Sequence, residues 1–362
     1  METKQRILKL VPAIRMALSG NGLRNGRFLP LEDMKKEDVE KLGDESKPGY
    51  AMLEGDDEEI LQQAGRCNSS VNQVYIKGLG LFILGERRSG ISGKIIAITG
   101  GAMGYGEGIA RELFNDGATI ILLDINEEAG RIVQEDLNSL GKSNPSLFVK
   151  ANVTNFESMQ EAVFKTVLAF GGLDVMISNA GVLKAGGIEE MDEDSFDFVT
   201  SVNYKGYFNC VKAATPVMKA QNKQQPANFG DIIQINSKSG LQGSKKNFAY
   251  AGGKFAGIGL TQSFALELMP ERIKVNAVCP GNFFEGPLWS DPEKGLFVQY
   301  LKAGKVAGAK TVDDVKRHYE SLVPAGRGCR VNDVVKAIKY IIDQEYETGQ
   351  AIPVTGGQTM LN

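Results

Sequence analysis

Tyr250 and Lys254 stand four residues apart in YAGGK, a spacing that puts both side chains on one face of a helix, roughly 5–6 Å apart at Cβ. A phenol with a pKa of ~10 is a poor base at neutral pH, but a neighbouring ammonium favours the phenolate. Ser237 follows the strand-like run GDIIQIN and reaches the same edge. It can hydrogen-bond the oxygen whose proton Tyr250 takes or returns, which is general acid–base work on a hydroxyl or carbonyl. Tyr and Lys at this spacing also occur on solvated helix faces, so the reading depends on what the chain places beside them.

What it places there is a nucleotide cradle. From Lys94 to Asp124 the sequence reads KIIAITGGAMGYGEGIARELFNDGATIILLD: a strand, a glycine-rich turn, a helix and a second strand. Glycines at 100, 104 and 106 let the backbone approach a pyrophosphate, whose charge is met by free N–H groups at the helix start. Thr99, Gly100, Gly104, Tyr105 and Gly106 are the expected contacts, in the spacing T-G-x-x-x-G-x-G. Asp124 closes the second strand where a carboxylate can accept hydrogen bonds from an adenosine ribose. It would repel a 2′-phosphate, and no base follows it, which predicts NAD rather than NADP. A bound nicotinamide would supply the hydride partner that Tyr250 chemistry requires.

Composition excludes other chemistries. The chain has 362 residues and a formal net charge of −3. No basic stripe predicts nucleic acid, and no apolar run approaches the roughly 20 residues that span a bilayer. ILKLVPAIRMAL near the start is interrupted by Lys9 and Arg15 and suits an amphipathic helix, so a cytoplasmic protein is expected. Cys67, Cys210, Cys279 and Cys329 form no C-x-x-C pair and read as reduced, buried thiols. His318 is the only histidine, so no metal site is expected and that residue reads as structural.

The elements that must position these residues alternate along the chain. After the cradle come NEEAGRIVQEDLNSLG as helix, SLFVKANV as strand, FESMQEAVFKTVLAFG as helix and LDVMISNAG as strand and turn. DSFDFVTSVNYKGYFNCVKAATPVMKAQ reads as one long helix, NFAYAGGKFAGIGLTQSFALELM as another, with IKVNAVCPG and QAIPVTGG as the last strands. This rhythm predicts an α/β fold, a doubly wound parallel seven-stranded Rossmann sheet, with residues 1–90 as an N-terminal appended segment and 91–362 as the nucleotide-binding domain. From 282 to 328 the rhythm lapses, so a lid over the substrate is expected. Asp291 with Pro292 reads as a helix start and Thr311 with Asp314 as a capping box, giving two short helices, with Phe283, Phe284 and Trp289 as the lid's apolar underside.

TGGAMGYG, the NAG of Asn179 to Gly181, Asn203, Ser237, YAGGK, and the PG of Pro280 and Gly281 together resemble the short-chain dehydrogenase/reductase family, over residues 92–362. The resemblance implies a catalytic tetrad of Asn203, Ser237, Tyr250 and Lys254, with Asn203 holding a water that links Lys254 to solvent. It also implies cofactor contacts from Asn179, Ala180, Gly181, Tyr250, Lys254, Pro280 and Gly281, and a homotetramer packed through the two long helices. Two positions depart from the family pattern: Asn152 with Val153 replaces the usual Asp-Val at the adenine, and Asn282 and Glu285 stand where a threonine commonly follows Pro-Gly.

The stretch INSKSGLQGSKKNFAYAGGK and the tail features VPAGRGC and TGQAIPVTGG resemble the branch of that family that oxidises hexitol phosphates. This implies sorbitol 6-phosphate and fructose 6-phosphate as the substrate pair. Lys238 and Lys245 can face the pocket and meet a phosphate dianion, Lys184 is a third candidate, and Ser244 and Asn247 could bond hydroxyls. Lys246 reads as a solvated surface lysine. Another sugar or sugar phosphate as substrate, or a non-catalytic NAD-sensing module, are the alternatives. VYIKGLGLFILGE in the appended segment resembles the closing hairpin of class II sugar-phosphate aldolases, but the segment has no histidine and is read as a remnant without aldol chemistry.

Overall fold

Apolar runs bounded by glycine, asparagine or acidic residues become strands, and the amphipathic segments between them become the helices that cover both faces. The computed structural model describes residues 2–39, 42, 48–68, 70–302 and 304–360. The N-terminal strands are β1 (Leu23–Pro30), β2 (Tyr50–Leu53), β3 (Gln73–Ile76) and β4 (Gly80–Arg88). The nucleotide-binding strands are β5 (Ile95–Thr99), β6 (Thr119–Asp124), β7 (Ser146–Lys150), β8 (Val175–Ser178), β9 (Gly230–Ile235), β10 (Ile273–Pro280) and β11 (Ala351–Val354).

Helices in the first half are α1 (Glu2–Ala17), α2 (Lys36–Val39), α3 (Asp57–Arg66), α4 (Gly104–Asn115), α5 (Glu127–Ser139) and α6 (Phe156–Phe170). The second half has α7 (Glu193–Thr200), α8 (Gly206–Gln224), α9 (Phe248–Leu268), α10 (Pro287–Ser290), α11 (Leu296–Lys302), α12 (Val312–Ser321) and α13 (Val331–Asp343).

The seven later strands form one sheet in the order β11-β10-β9-β8-β5-β6-β7, parallel throughout. The order reverses between β5 and β8, so a crevice opens at the carboxyl ends of those strands. This is the doubly wound architecture expected from the alternation. Edge strand β7 is managed by α5, whose Gln134 and Asn138 side chains accept the outward N–H groups of Phe148 and Ser146.

The four earlier strands form a second sheet in the order β1-β4-β3-β2. The hairpin expected from VYIKGLGLFILGE is β3 and β4; β2 pairs with β3 in parallel through α3, whose start carries an Asp56–Glu59 capping box. α1 does not stand apart: Ile7, Leu10, Val11 and Ile14 are buried in the same core as Val163, Val167, Ala214 and Val217 of α6 and α8. Arg15 on α1 and Asp174 at the entry to β8 are both fully buried and ion-paired at 2.8 Å.

Two local expectations need correction. The single long helix before β9 is interrupted by a π turn at Ser201–Lys205, where the Gly206 N–H reaches back to the Ser201 carbonyl. Within residues 282–328, Asp291 does not start α11; it closes α10 and accepts the N–H groups of Glu293 and Lys294, a local turn that Pro292 permits. The Thr311–Asp314 capping box does open α12, giving three short helices rather than two.

Candidate active site

The glycine turn is held by contacts that tolerate no Cβ. A side chain on Gly106 would run into the Gly100 carbonyl, and one on Gly100, at φ +64°, would stand 3.0 Å from Ala180 Cα. The Thr99 hydroxyl accepts the N–H groups of Asn179 and Ala180 at 3.0 and 3.1 Å, and Asn179 Nδ2 donates to the Thr99 carbonyl at 2.9 Å. The turn and the end of β8 are thereby fixed against each other. Met103 at the start of α4 offers no side-chain acceptor to the first helical turn. Those amides remain for an anion, so the residues fit the pyrophosphate of a dinucleotide.

Asp124 accepts the Ala102 N–H at 3.0 Å through Oδ2 and the Asn126 N–H at 2.9 Å through Oδ1, which aims its carboxylate across the turn. Asn152 is exposed, and its Oδ1 is already taken by the Thr154 N–H and hydroxyl at 3.0 and 2.9 Å. The adenine contact expected of it would have to displace that turn. Val153 is buried beside Gly206. Pro280 ends β10, and the Gly281 N–H donates to Val354. Asn282 does not hang free: its N–H donates to Gln358 and its carbonyl accepts from Cys329, while Glu285 pairs with Arg330.

Ser237, Tyr250 and Lys254 converge at the end of β9. Asn236, which sequence reasoning passed over, sets this up: its Nδ2 donates to the Lys254 carbonyl at 2.9 Å and its Oδ1 accepts the Ser237 N–H at 2.8 Å. A buried Asn just ahead of a Ser at a strand end was the available signal. Lys254 is buried, its Nζ donating to the Ile235 carbonyl at 2.9 Å and lying 5.6 Å from the centre of the Tyr250 ring. A Cβ on Gly181 would lie 3.2 Å from Asn203 Oδ1 and 3.7 Å from Lys254 Nζ, so Asn203 and Lys254 flank one small space. Asn203 sits in the π turn and brackets Val182, accepting its N–H and donating to its carbonyl, both at 2.8 Å.

The electrostatics differ from the simple Tyr–Lys argument. Burial raises the Tyr250 pKa, and the neighbouring Ser237 hydroxyl works in the opposite direction. Burial also pushes Lys254 down to about 8. Burial thus works against the phenolate that the neighbouring ammonium is expected to favour, and that ammonium donates to the Ile235 carbonyl.

The substrate candidates divide. Lys238 is partly buried, has no ion partner among the described residues, and burial lowers its pKa. Asn247 Oδ1 is buried without a hydrogen-bond partner at the start of α9. Ser244 is half-buried and its carbonyl accepts the Asn247 N–H. Lys245 and Lys184 are exposed, the latter close enough to Asp192 to act on its charge, and Lys246 pairs with Glu190 at 3.0 Å as a surface residue.

The expected underside of the lid is also corrected. Phe284 and Trp289 pack into a separate aromatic core with Phe297, Tyr300 and Tyr319, because the excursion is long enough to bury its own side chains. Phe283 alone turns toward the glycine loop and stacks on Tyr105. His318 is exposed and lies edge-on to Tyr319; all four cysteines are free thiols, and Cys67, expected to be buried, is only partly so.

Comparison with known proteins agrees with this architecture. Residues 94–289 match the family model for short chain dehydrogenase. The chain is 33% identical over 269 residues to the sorbitol-6-phosphate 2-dehydrogenase of Escherichia coli strain K12, covering 74% of this chain and 99% of that one. The crystal structure of sorbitol-6-phosphate 2-dehydrogenase SrlD from Erwinia amylovora superposes with a TM-score of 0.67 at 32% identity, covering 74% of this chain and all of that one. A single-site variant of actinorhodin polyketide ketoreductase, crystallised with NADPH, superposes with a TM-score of 0.62 at 26% identity, over 73% of this chain and 97% of that one. With a family model over more than half its length and relatives matched nearly end to end, the chain belongs to the short-chain dehydrogenases, a family of oxidoreductases.

Proposed function

We propose that the protein interconverts a polyol phosphate and a ketose phosphate, sorbitol 6-phosphate and fructose 6-phosphate being the favoured pair, with NAD as the cofactor. The observation that carries the reading is Lys238. A half-buried ammonium with no carboxylate partner among the described residues, next to Ser237, is costly unless an anion meets it. Similarity to two sorbitol-6-phosphate 2-dehydrogenases supports the same substrate class. The buried, unpartnered Asn247 Oδ1 suits a donor hydroxyl of the polyol.

Thr99, Gly100, Gly104, Tyr105, Gly106 and Asp124 would hold the dinucleotide at its phosphates and ribose, and Asn152 with Val153 its adenine. Asn179, Ala180, Gly181, Pro280 and Gly281 would line the nicotinamide end. When bound, NAD supplies the hydride acceptor. Tyr250 would take the proton from the substrate hydroxyl, and Ser237 would hold that oxygen in line. Lys254, still mostly protonated at neutral pH with a pKa of about 8, favours the phenolate. Asn203 would bridge Lys254 to solvent through a water. Asp124, its carboxylate fixed by two backbone N–H groups, opposes a 2′-phosphate and favours NAD over NADP.

The exposed Phe208, Phe255 and Leu266 on α8 and α9 support a homotetramer packed through those helices. Within it, residues 1–90, in our reading an aldolase-like remnant, would serve as a packing element beside a catalytic domain of residues 91–362 in the cytoplasm. Initial rates with NAD on sorbitol 6-phosphate against free sorbitol test the substrate. A strong preference for the phosphate is expected; equal rates on both, or none on either, would remove the phosphate claim. A non-phosphorylated carbonyl substrate is the second reading, favoured by the likeness to the polyketide ketoreductase, and the same assay separates the two.

A further inference from the structure

A cavity of about 560 Å³ lies where the N-terminal segment meets the outer edge of the large sheet. Its walls come from four places: Arg27 to Pro30 of β1 with Asp33 beyond them, Glu127 and Arg131 of α5, Leu147 to Lys150 of β7, and Lys165, Leu168 and Ala169 of α6. The volume is that of a small-molecule site, which typically runs from roughly 300 to 1,000 Å³. None of these residues belongs to the catalytic cleft.

The charges around it are unbalanced. Arg27, Arg131, Lys150 and Lys165 face only two carboxylates, Asp33 and Glu127, in a protein whose overall charge is −3. Glu127 is shared, accepting Arg131 at 2.7 Å and Lys150 at 3.5 Å. Arg27 and Lys165 are exposed to the cavity side of their elements and have no ion pair or hydrogen bond among the described residues. Four cations against two carboxylates leave a net positive charge at one concavity, with Arg27 and Lys165 uncommitted.

The floor is apolar. Leu29, Leu147, Leu168 and Ala169 are only partly buried, while Phe148 is buried against α5, where Gly130 leaves room for its ring. A cationic rim over partly exposed aliphatic groups matches a ligand with an anionic head and an apolar body. We propose that this cavity is a second binding site, for an organic anion carrying a phosphate or carboxylate on an apolar body. Because β1 supplies one wall, the N-terminal segment completes the site.

The test uses the full chain and 8-anilinonaphthalene-1-sulfonate, an anion on an aromatic body, followed by its fluorescence. Arg27→Ala combined with Lys165→Ala should weaken probe binding at least about tenfold, the scale expected for two lost charge-assisted contacts. Lys165→Glu should act in the same direction, whereas Lys223→Ala with Arg66→Ala, two cations removed elsewhere, should leave binding unchanged. Phenyl phosphate should displace the probe at lower concentration than inorganic phosphate, and saturating NADH should not displace it. Loss short of tenfold, equal loss in the control pair, equal potency of the two phosphates, or displacement by NADH would each overturn the proposal. None of these readouts depends on which sugar the catalytic cleft accepts.

Discussion

Arg15 grips Asp174 through two parallel hydrogen bonds, Nη1 to Oδ1 at 3.0 Å and Nη2 to Oδ2 at 2.8 Å, with both side chains out of contact with solvent. The carboxylate also accepts the Ile95 N–H at 2.8 Å and Gln221 Nε2 at 3.2 Å, so each of its oxygens has two donors. The N-terminal segment therefore anchors to the entry of β8 and, through Ile95, of β5.

Arg15→Ala leaves that carboxylate buried and uncompensated, and should cost about 3–5 kcal/mol of stability. Burial by itself would raise the Asp174 pKa, and the Arg15 guanidinium outweighs it, so the group sits below the ordinary carboxylate range. A depressed carboxyl pKa stabilises the fold above the unfolded value of ~3.9 and loses that contribution as pH falls below it. Urea unfolding of wild type and Arg15→Ala should accordingly differ most near neutral pH and converge in acid. Equal stability at neutral pH would contradict the anchoring.

The large sheet was legible because its strands are short apolar runs such as IIAIT and TIILLD, closed by Gly100 and Asp124, and helices of similar length separate them. The glycine turn and the Tyr250–Lys254 pair were legible because each is local in sequence, whereas Asn203 was reached only through the family resemblance. β1 was not, since LRNGRFLP neither alternates nor runs apolar. Its Arg24 is buried, donating to the Gly85 and Val71 carbonyls, and Gly26 sits at a bulge with no room for a Cβ against β4. Those partners lie 61 and 47 residues away. The Arg15–Asp174 pair spans 159, and no periodicity within either segment announces it. The self-contained aromatic core of the lid was missed for the same reason: Trp289 meets Tyr319 only after the excursion folds back.

Lys254 is held against its own charge. Its pKa is about 8 rather than the ordinary ~10.4, because burial disfavours the ammonium. Below pH 8 both folded and unfolded chains carry the proton, and the folded state bears the full penalty, on the order of 3 kcal/mol. As pH rises from about 8 toward 10.5 that penalty is relieved. Lys254→Met should therefore melt higher than wild type at pH 7, with the difference shrinking as the pH rises through this window, while turnover is largely lost. A variant that melts lower at pH 7 would mean that the bond to Ile235 outweighs desolvation.

In the proposed mechanism Tyr250→Phe removes the proton carrier and little else, because only the hydroxyl is deleted. Turnover should fall by about 10²–10⁴ with NADH affinity unchanged, measured by steady-state rates and by quenching of Trp289 or NADH fluorescence. Retained turnover would remove the phenol from the reaction.

Lys238 and Lys246 offer a matched comparison, since one is half-buried without a counter-charge among the described residues and the other is committed to Glu190 on the surface. Lys238→Ala should raise KM for a sugar phosphate about tenfold or more with kcat little changed, the pattern for binding lost equally in ground and transition states. Lys246→Ala should change neither. A Lys238 variant with unaltered KM would move the phosphate elsewhere in the cleft.

Tyr105 and Phe283 join the glycine turn to the start of the proposed lid, their rings stacked with centroids 4.3 Å apart at 18°. The other end of the lid closes on the same place, with the Cys329 N–H donating to the Asn282 carbonyl at 2.8 Å and the Cys329 thiol lying against the buried Tyr105 hydroxyl. Removing the Phe283 ring deletes one wall of Tyr105, a loss of about 1 kcal/mol beyond its area. In a turn whose backbone must meet a pyrophosphate, that loosening should appear as cofactor affinity. Phe283→Ala should weaken NADH binding roughly fivefold, as read by fluorescence titration, and raise the cofactor KM in step. If NADH affinity is unchanged and only the sugar-phosphate KM rises, the stack serves the lid and not the cradle.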